Sequence, residues 1–479
     1  MESFNVLAEE GDNFYITNNI KRLVLIRMKV LAVGSPILDG TGGEKRNFMT
    51  LSQYADFGIK AYLHFPYSKL VWAVVNKDKR PELLENLRRT MGMLQERNVK
   101  VQSMLMGILD TPSTLLKDKA VQKLMTKKHP YPYWYFQTLF NDISELRMLY
   151  IDTTVKETQG FNIIFQMGEP PDFGHEAFLL SQKTGFPWTT LIQEYPYKAK
   201  STKYYLKSFF SRSNYVLPSF LTEASALPFS YCFYRKATGD SGLKGMLVIS
   251  QACFQSRSIH RNLKKNNKPS IALNKPGAIE SLEHISHKKK ENFVIYYARM
   301  VPEKGIFEIP EIAKKLGNEI RIQIYGKFPN KTIEMNFSRW ASKFTNIEYM
   351  GYASRNELLD NISKAKVVIY PSHADAFSLV VLEALSLGTS VVAYRIPGLL
   401  QYEKLPAVKL VDEFDYSSMA KEAQGFLDMS TPEYNKLHAQ ESIQKFIKEH
   451  NSWKDLAFEE IKQLTNLVNE TVSETNIIP

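Results

Sequence analysis

Two series of short, β-rich apolar runs, each followed by helix formers and punctuated by glycine, constrain this chain more than any other feature it has. The first opens with a strand from Met28 to Gly34. A helical stretch from about Glu44 to Phe57 follows, then Gly58-Ile59-Lys60 and a second strand from Ala61 to Phe65. It resumes at Phe161 to Gln166, with a helix over Glu176 to Lys183, strands at Thr189 to Ile192 and Met246 to Ser250, and a basic helix from about Phe254 to Leu263. The second series runs through strands at Phe293 to Tyr297, Ile320 to Tyr325, Val367 to Tyr370 and Ser390 to Tyr394. Between them lie helices at Ile309 to Leu316 and Val380 to Leu387, closed by Gly317 and Gly388. Strands alternating with helices imply parallel sheets covered on both faces. A chain of 479 residues is also too long for one core. The expectation is an α/β chain of two doubly wound domains whose ligand lies in the cleft between them, off the carboxyl ends of the strands.

The boundaries follow from composition. Residues 1–27 read as an extension, 28–275 as the first domain, 276–291 as a linker and 292–440 as the second domain. The linker ends a polar, lysine-rich stretch from Lys264 to Glu291 that also holds a short strand. Residues 441–479 read as amphipathic helices with Phe446, Trp453, Phe458 and Ile461 as the apolar stripe, packing back toward the first domain. Residues 67–150 are rich in helix formers and aromatics, and their pattern assigns no topology.

Composition narrows the partners. No apolar run reaches the ~18–20 residues needed to span a bilayer. The most apolar stretch, Ser378 to Tyr394, carries Glu383 in its middle. Lys21, Arg22, Arg27 and Lys29 interrupt the apolar Leu23-Val24-Leu25-Ile26, and no small-residue cleavage site follows, so a cytoplasmic location is expected. Cys232 and Cys253 are too few for a disulfide framework or a zinc site. The net charge of +11 suits phosphorylated small molecules or an anionic lipid surface, or simply a lysine-rich solvated exterior. No nucleic-acid-binding module is recognisable, and nucleic acid is not an expected partner.

The strongest local signal is Tyr370-Pro371-Ser372-His373-Ala374-Asp375-Ala376-Phe377-Ser378-Leu379-Val380-Val381-Leu382-Glu383-Ala384-Leu385-Ser386-Leu387-Gly388. A strand ends, a loop presents Asp375, and a helix carries Glu383 two turns along. The helix N-terminus offers N–H groups and a positive dipole end that suit a phosphate. A carboxylate farther along can accept hydrogen bonds from vicinal hydroxyls. This block resembles the carboxylate-x7-Glu motif of the GT4 family of retaining glycosyltransferases, which have the GT-B fold of two Rossmann-like domains. The resemblance implies that Glu383 holds the ribose of a nucleotide sugar, that Asp375 contacts the donor sugar, and that the backbone at Ser378, Leu379 and Val380 takes the diphosphate.

Three further segments fit. Tyr297-Ala298-Arg299-Met300-Val301-Pro302-Glu303-Lys304-Gly305 resembles the family's Gly-Arg-Leu-x-x-x-Lys-Gly loop. The resemblance makes Arg299 and Lys304 the cations that stabilise the departing diphosphate, which gains negative charge in the transition state. Asp39-Gly40-Thr41-Gly42-Gly43-Glu44 resembles the glycine loop that faces donor phosphates and acceptor, with Gly42 and Gly43 at the ligand. The strand after Pro187 ends in Gln193-Glu194 where the family commonly has His-Asp, which makes these two the acceptor-side candidates. Fainter agreements are Asn346-Ile347-Glu348 before Gly351-Tyr352, Pro276-Gly277, and Ser452-Trp453. The resemblance covers most of residues 28–460, specific in the second domain and loose in the first.

The sequence also departs from the family pattern. Asp375 replaces the usual Glu, and Ala376 and Ser378 stand where glycines are common. Gln193 can hydrogen-bond a hydroxyl but cannot act as an acid or base. His175 and His373 are further histidines to place relative to the cleft. The acidic run Asp412-Glu413-Phe414-Asp415 reads as a polar loop rather than a metal-binding donor site.

The resemblance implies transfer of a hexose from a UDP- or GDP-sugar, with retention, to a glycan, a polyprenyl-linked sugar or a lipid. No metal or other cofactor is expected, since Arg299 and Lys304 supply the positive charge. A catalytically silent binding module, a nucleotide-sugar epimerase and a phosphorylase of the same fold remain open. Finally, Lys203, Lys207 and Arg212 interleave with Tyr204, Tyr205, Phe209 and Phe210. That run suits either peripheral docking on an anionic membrane surface or a buried aromatic helix with basic ends.

Overall fold

The computed structural model describes residues 28–475 apart from residues 39, 76–79, 120, 123–144, 195–202, 205, 208–227, 229, 251, 254–256, 281, 283–288 and 329–330. The extension 1–27, Asp39 and most of the basic-aromatic run therefore lie outside the described residues. The chain forms two parallel sheets. The first contains β1 (Lys29–Gly34), β2 (Lys60–His64), β3 (Lys100–Val101), β4 (Ile163–Met167), β5 (Trp188–Ile192), β6 (Leu243–Val248) and β7 (Ser270–Ala272), in the order β3-β2-β1-β4-β5-β6-β7. The second contains β8 (Glu291–Tyr297), β9 (Ile322–Tyr325), β10 (Ile347–Gly351), β11 (Ala365–Tyr370), β12 (Ser390–Tyr394) and β13 (Val408–Val411), in the order β10-β9-β8-β11-β12-β13.

Each sheet reverses its strand order once, between β1 and β4 and between β8 and β11. Val33 lies level with His64 on one side and Gln166 on the other, and Val294 lies level with Ile322 and Val367. At such a switch point neighbouring connections leave in opposite directions and open a crevice beyond the strand ends. Val30 to Val33 and Val367 to Ile369 are fully buried, which is why these strands read as continuous apolar runs rather than alternating ones.

The strand Ser390–Tyr394 and the helix Ile309–Leu316 coincide with the sequence reading. Other boundaries move, for local reasons. The first helix spans only Gly42–Leu51 and yields to a 3-10 turn at Tyr54–Phe57. Thr41 and Glu44 start it with a reciprocal capping box. The helix expected from Glu176 begins at Pro171, where proline occupies a first-turn position that needs no N–H donor. β6 stops at Val248 rather than Ser250, and the Ser250 Oγ donates to Ala376 O of the second domain at 2.7 Å. Within 67–150, helices Tyr67–Val75, Arg80–Glu96, Ser103–Asp110 and Glu145–Glu157 surround the two-residue strand β3.

Helix Trp453–Thr475 crosses back to the first sheet. Glu460 accepts from Arg46 Nη1 at 2.8 Å and from the Tyr54 hydroxyl at 2.7 Å. Arg46 Nε also donates to Pro276 O in the linker, so one guanidinium joins the first helix, the linker and the last helix. Trp453 and Ile461 are buried as the stripe requires. Phe458 is not: it remains 44% exposed while leaning on Phe57. Among the described residues no helix is long and apolar enough to cross a membrane.

Candidate active site

The crevices of the two sheets face each other and enclose two adjoining cavities of about 430 and 610 Å³. Gly40, Thr41, Ala298, Arg299 and Val380 line both.

On the second-domain wall, β8 leads through Arg299 into the turn Pro302–Lys304. Gly305 follows with φ 77°, and a Cβ there would stand 2.1 Å from Pro371 O. The glycine thus lets the lysine turn lie directly against the loop after β11. Lys304 Nζ reaches Asp375 Oδ2 at 3.1 Å and Ala374 O at 2.8 Å, while the Tyr370 hydroxyl donates to the same Asp375 oxygen at 2.5 Å. Burial alone would lower the ammonium's pKa. The Asp375 carboxylate, with help from Tyr370 and Glu194, instead holds it above the usual lysine range, so Lys304 remains a cation. Arg299 is more open: its side chain is 56% exposed and approaches Glu303 only to 4.0 Å. Ser378 caps helix Leu379–Ser386 by accepting from Val381 N, and Ser378, Leu379 and Val380 line the smaller cavity. The helix N-terminus therefore meets the cavity that also holds Arg299, Lys304 and Asp375.

Glu383 lines the larger cavity instead, beside Tyr297, Tyr325 and Gly326. Arg355 Nη2 donates to its Oε1 at 2.7 Å. Sequence reasoning missed Arg355. Its signal is an inconsistency: a cation in the first turn of a helix opposes the helix dipole and calls for a carboxylate nearby.

On the first-domain wall, Gly42 and Gly43 differ. A Cβ on Gly43 would lie 2.5 Å from Gln193 Oε1, whereas Gly42 has no atom within 4 Å of that position. Gln193 Nε2 donates to Asn47 Oδ1 at 2.5 Å, and Asn47 in turn donates to Met167 O at 2.7 Å. The backbone N–H groups of Gln193 and Glu194 donate to Glu169 Oε2 at 3.0 and 3.3 Å. Sequence reasoning missed Glu169 as well; its signal is a carboxylate two residues beyond the end of the buried strand β4, at the switch point. Burial, and then the charge of Glu194, push its carboxyl up to about 7.

Neither histidine noted in the sequence lines either of these two cavities. His175 is half-buried on helix Pro171–Thr184, and burial pushes its imidazole down to about 4. His373 is buried behind the Asp375 loop, bonded to Glu308 and, at 2.7 Å, to Glu413 Oε1. Burial would lower its pKa, and the two carboxylates raise it. The Asp412–Asp415 run is thus more than a polar loop: Glu413 holds His373, and Asp415 caps helix Tyr416–Asp428 through Ser418 N at 2.9 Å. The described part of the basic-aromatic run meets this same loop. Lys203 Nζ donates to Glu413 O at 2.7 Å, Lys207 Nζ sits 4.1 Å from the centre of the Phe414 ring, and the Tyr204 ring lies 4.7 Å from His373.

The span 279–449, which contains Arg299, Lys304, Asp375 and Glu383, matches the family model of glycosyl transferases group 1. Over that span, about a third of the chain, the protein is similar to the group 1 glycosyl transferases. It is also similar to an uncharacterized glycosyltransferase of Methanocaldococcus jannaschii, with 25% identity over 112 residues, 22% of this chain and 30% of that protein. Solved structures similar over nearly the whole chain include the sucrose-phosphate synthase of Thermosynechococcus elongatus. It has a TM-score of 0.60 and 13% identity, over 93% of this chain and 100% of that one. Anabaena HepE in complex with UDP-glucose has a TM-score of 0.54 and 12% identity, over 94% and 100%. The fold is GT-B, two Rossmann-like domains. Gly42, Gly43, Glu169, Gln193 and Glu194 lie outside the group 1 match.

Proposed function

We propose that the chain transfers a hexose from a nucleoside diphosphate sugar to an acceptor hydroxyl, with retention of anomeric configuration. The observation that carries this reading is the pair of connected cavities. One holds Arg299, Lys304 and Asp375 at a helix N-terminus, and the other holds Glu383 on the same helix. A nucleotide sugar is long enough to occupy both. Its ribose would bond Glu383, which Arg355 keeps oriented. Its diphosphate would lie against the helix N-terminus, Arg299 and Lys304. Its sugar would sit near Asp375.

In the transfer, the acceptor oxygen forms a bond to the anomeric carbon as the bond from that carbon to the β-phosphate oxygen breaks. The electron pair leaves on the diphosphate, which also takes the acceptor proton. Fixed cations stabilise this developing charge without rearrangement, the work that a bound metal does elsewhere. The acceptor in this reading is a glycan, a polyprenyl-linked sugar or a lipid, met in the cytoplasm or at the membrane's cytoplasmic face.

A panel of UDP- and GDP-sugars, led by UDP-glucose, tests the reading by thermal shift and by release of nucleoside diphosphate. One donor is expected to raise Tm and to be consumed. If no nucleotide or nucleotide sugar raises Tm, the donor site is misassigned. Binding without turnover under any acceptor would leave a silent binding module.

A further inference from the structure

The two walls of the smaller cavity carry opposite charge. Arg299 and Lys304 stand on the second-domain wall, and Glu169 and Glu194 on the first-domain wall. The one cation among the described lining residues of the first domain is Arg46, which is 3% exposed and has its Nη1 bound to Glu460. Its charge is therefore already matched. Its Nη2 is buried with no hydrogen-bond partner, so a cavity that Glu169 and Glu194 also line keeps one unused donor in its wall. A hydroxyl both donates and accepts, and it fits such a wall. A phosphate or carboxylate only accepts, and it would face the Glu194 carboxylate and, as pH rises through about 7, that of Glu169 as well.

We propose that Glu169, Glu194 and Arg46 form an acceptor subsite for a hydroxyl-rich molecule without negative charge beside its reacting hydroxyl. The subsite rests on the donor reading above and goes further by naming the class of acceptor. Glu169 is anchored by the backbone N–H groups of Gln193 and Glu194 through Oε2. Gln193 is itself wedged against Gly43 and tied to Asn47, which sets the loop's position against the first helix. The acidic wall and the cationic wall sort the two substrates: the diphosphate can settle only on one side, and the acceptor is left the other. Glu194 also lies close enough to Lys304 to raise its pKa, which places the acid wall within electrostatic reach of the donor phosphates.

The test measures nucleoside diphosphate release from the donor found by the panel, with matched acceptors. The pairs are glucose and glucose 6-phosphate, fructose and fructose 6-phosphate, and glucosamine and glucosamine 6-phosphate. At least one unphosphorylated member is expected to raise release above donor alone, and its phosphate to give less than about a tenth of that rise, as like charges in a cleft impose. In Glu194→Gln the phosphorylated member should gain relative to its partner, with donor affinity by calorimetry reporting that the variant is folded. The proposal is overturned by a phosphate that works as well as its partner, or by a ratio that Glu194→Gln does not move. It is also overturned if a protein that binds its donor responds to none of the unphosphorylated members. Loss of donor binding altogether would instead indict the donor reading.

Discussion

The two walls of the cleft hold their side chains in different ways. In the second domain each braced charge is met by another side chain: Lys304 by Asp375, which Tyr370 also holds, and Glu383 by Arg355. In the first domain Arg46 is likewise matched by Glu460, but Glu169 is held by backbone amides of a loop, and Gln193 by its fit against Gly43 and its hydrogen bond to Asn47. A wall that stabilises charge must have its cations in place before the reaction, because reorganising them would cost part of the barrier reduction. A wall that selects an acceptor needs only well-placed hydrogen-bonding groups, and loops supply those on a rigid frame. In the proposed transfer this difference gives the second-domain wall the chemistry and the first-domain wall the selectivity.

The largest expected effect lies on the cationic wall. Lys304→Ala and Arg299→Ala should each lower the single-turnover rate by about 100-fold or more. Gln193→Ala should cost much less. Equal losses on both walls would erase the contrast. Treatment with EDTA should leave the rate unchanged; loss restored by magnesium or manganese would show that a metal shares the stabilising work of Arg299 and Lys304.

Next in size is Glu383→Ala, which should weaken nucleotide affinity by ~1.5–3 kcal/mol, the value of a hydrogen bond to a charged group. Calorimetry with the nucleoside diphosphate reads this directly, and an unchanged Kd in a folded variant would remove the ribose from this cavity. Arg355→Ala should move affinity in the same direction by a smaller factor, because it orients Glu383 without replacing it.

Glu169 sharpens the comparison through stability. Its folded-state pKa of about 7 lies above the ordinary 4.5, because burial and Glu194 disfavour the carboxylate. Between these two values the folded protein binds more protons than the unfolded one, so stability falls as pH rises through that window. Glu169→Gln should therefore raise Tm relative to the parent at pH 8, with the gap closing toward pH 4.5, while transfer to the acceptor declines. A constant Tm difference across that range would show that the carboxyl is not strained by its site. The smallest effect concerns the membrane. Flotation with anionic and neutral liposomes at low and high salt should show modest, salt-sensitive binding if the basic surface meets lipid, at ~1 kcal/mol per lysine or arginine at the interface. Lys203 and Lys207 already engage Glu413 and Phe414, so changing both to Ser should perturb the domain contact more than lipid binding.

The segments proposed to hold the donor are legible in the sequence because their information is local. Asp375, Ser378 and Glu383 belong to one strand-loop-helix, and Arg299 and Lys304 to one strand-turn, so spacing along the chain nearly equals spacing in the fold. The first domain was harder for the same reason in reverse. β3 has two residues, too few to show a period, and the helices of 67–150 that surround it carry no motif to order them.

Local sequence specifies the two parallel α/β sheets and the strand-loop-helix that carries Asp375, Ser378 and Glu383, because hydrophobic periodicity and turn chemistry act over a few neighbouring residues. Only the tertiary structure decided which side chains face one another. Arg355 reaches Glu383 from another helix, Glu169 is held by Gln193 and Glu194 from the end of the next strand, and Arg46 meets Glu460 across 414 positions of the chain. No local pattern records such meetings, since they arise when separate elements pack to cover their apolar faces and the polar groups trapped between them must find partners there.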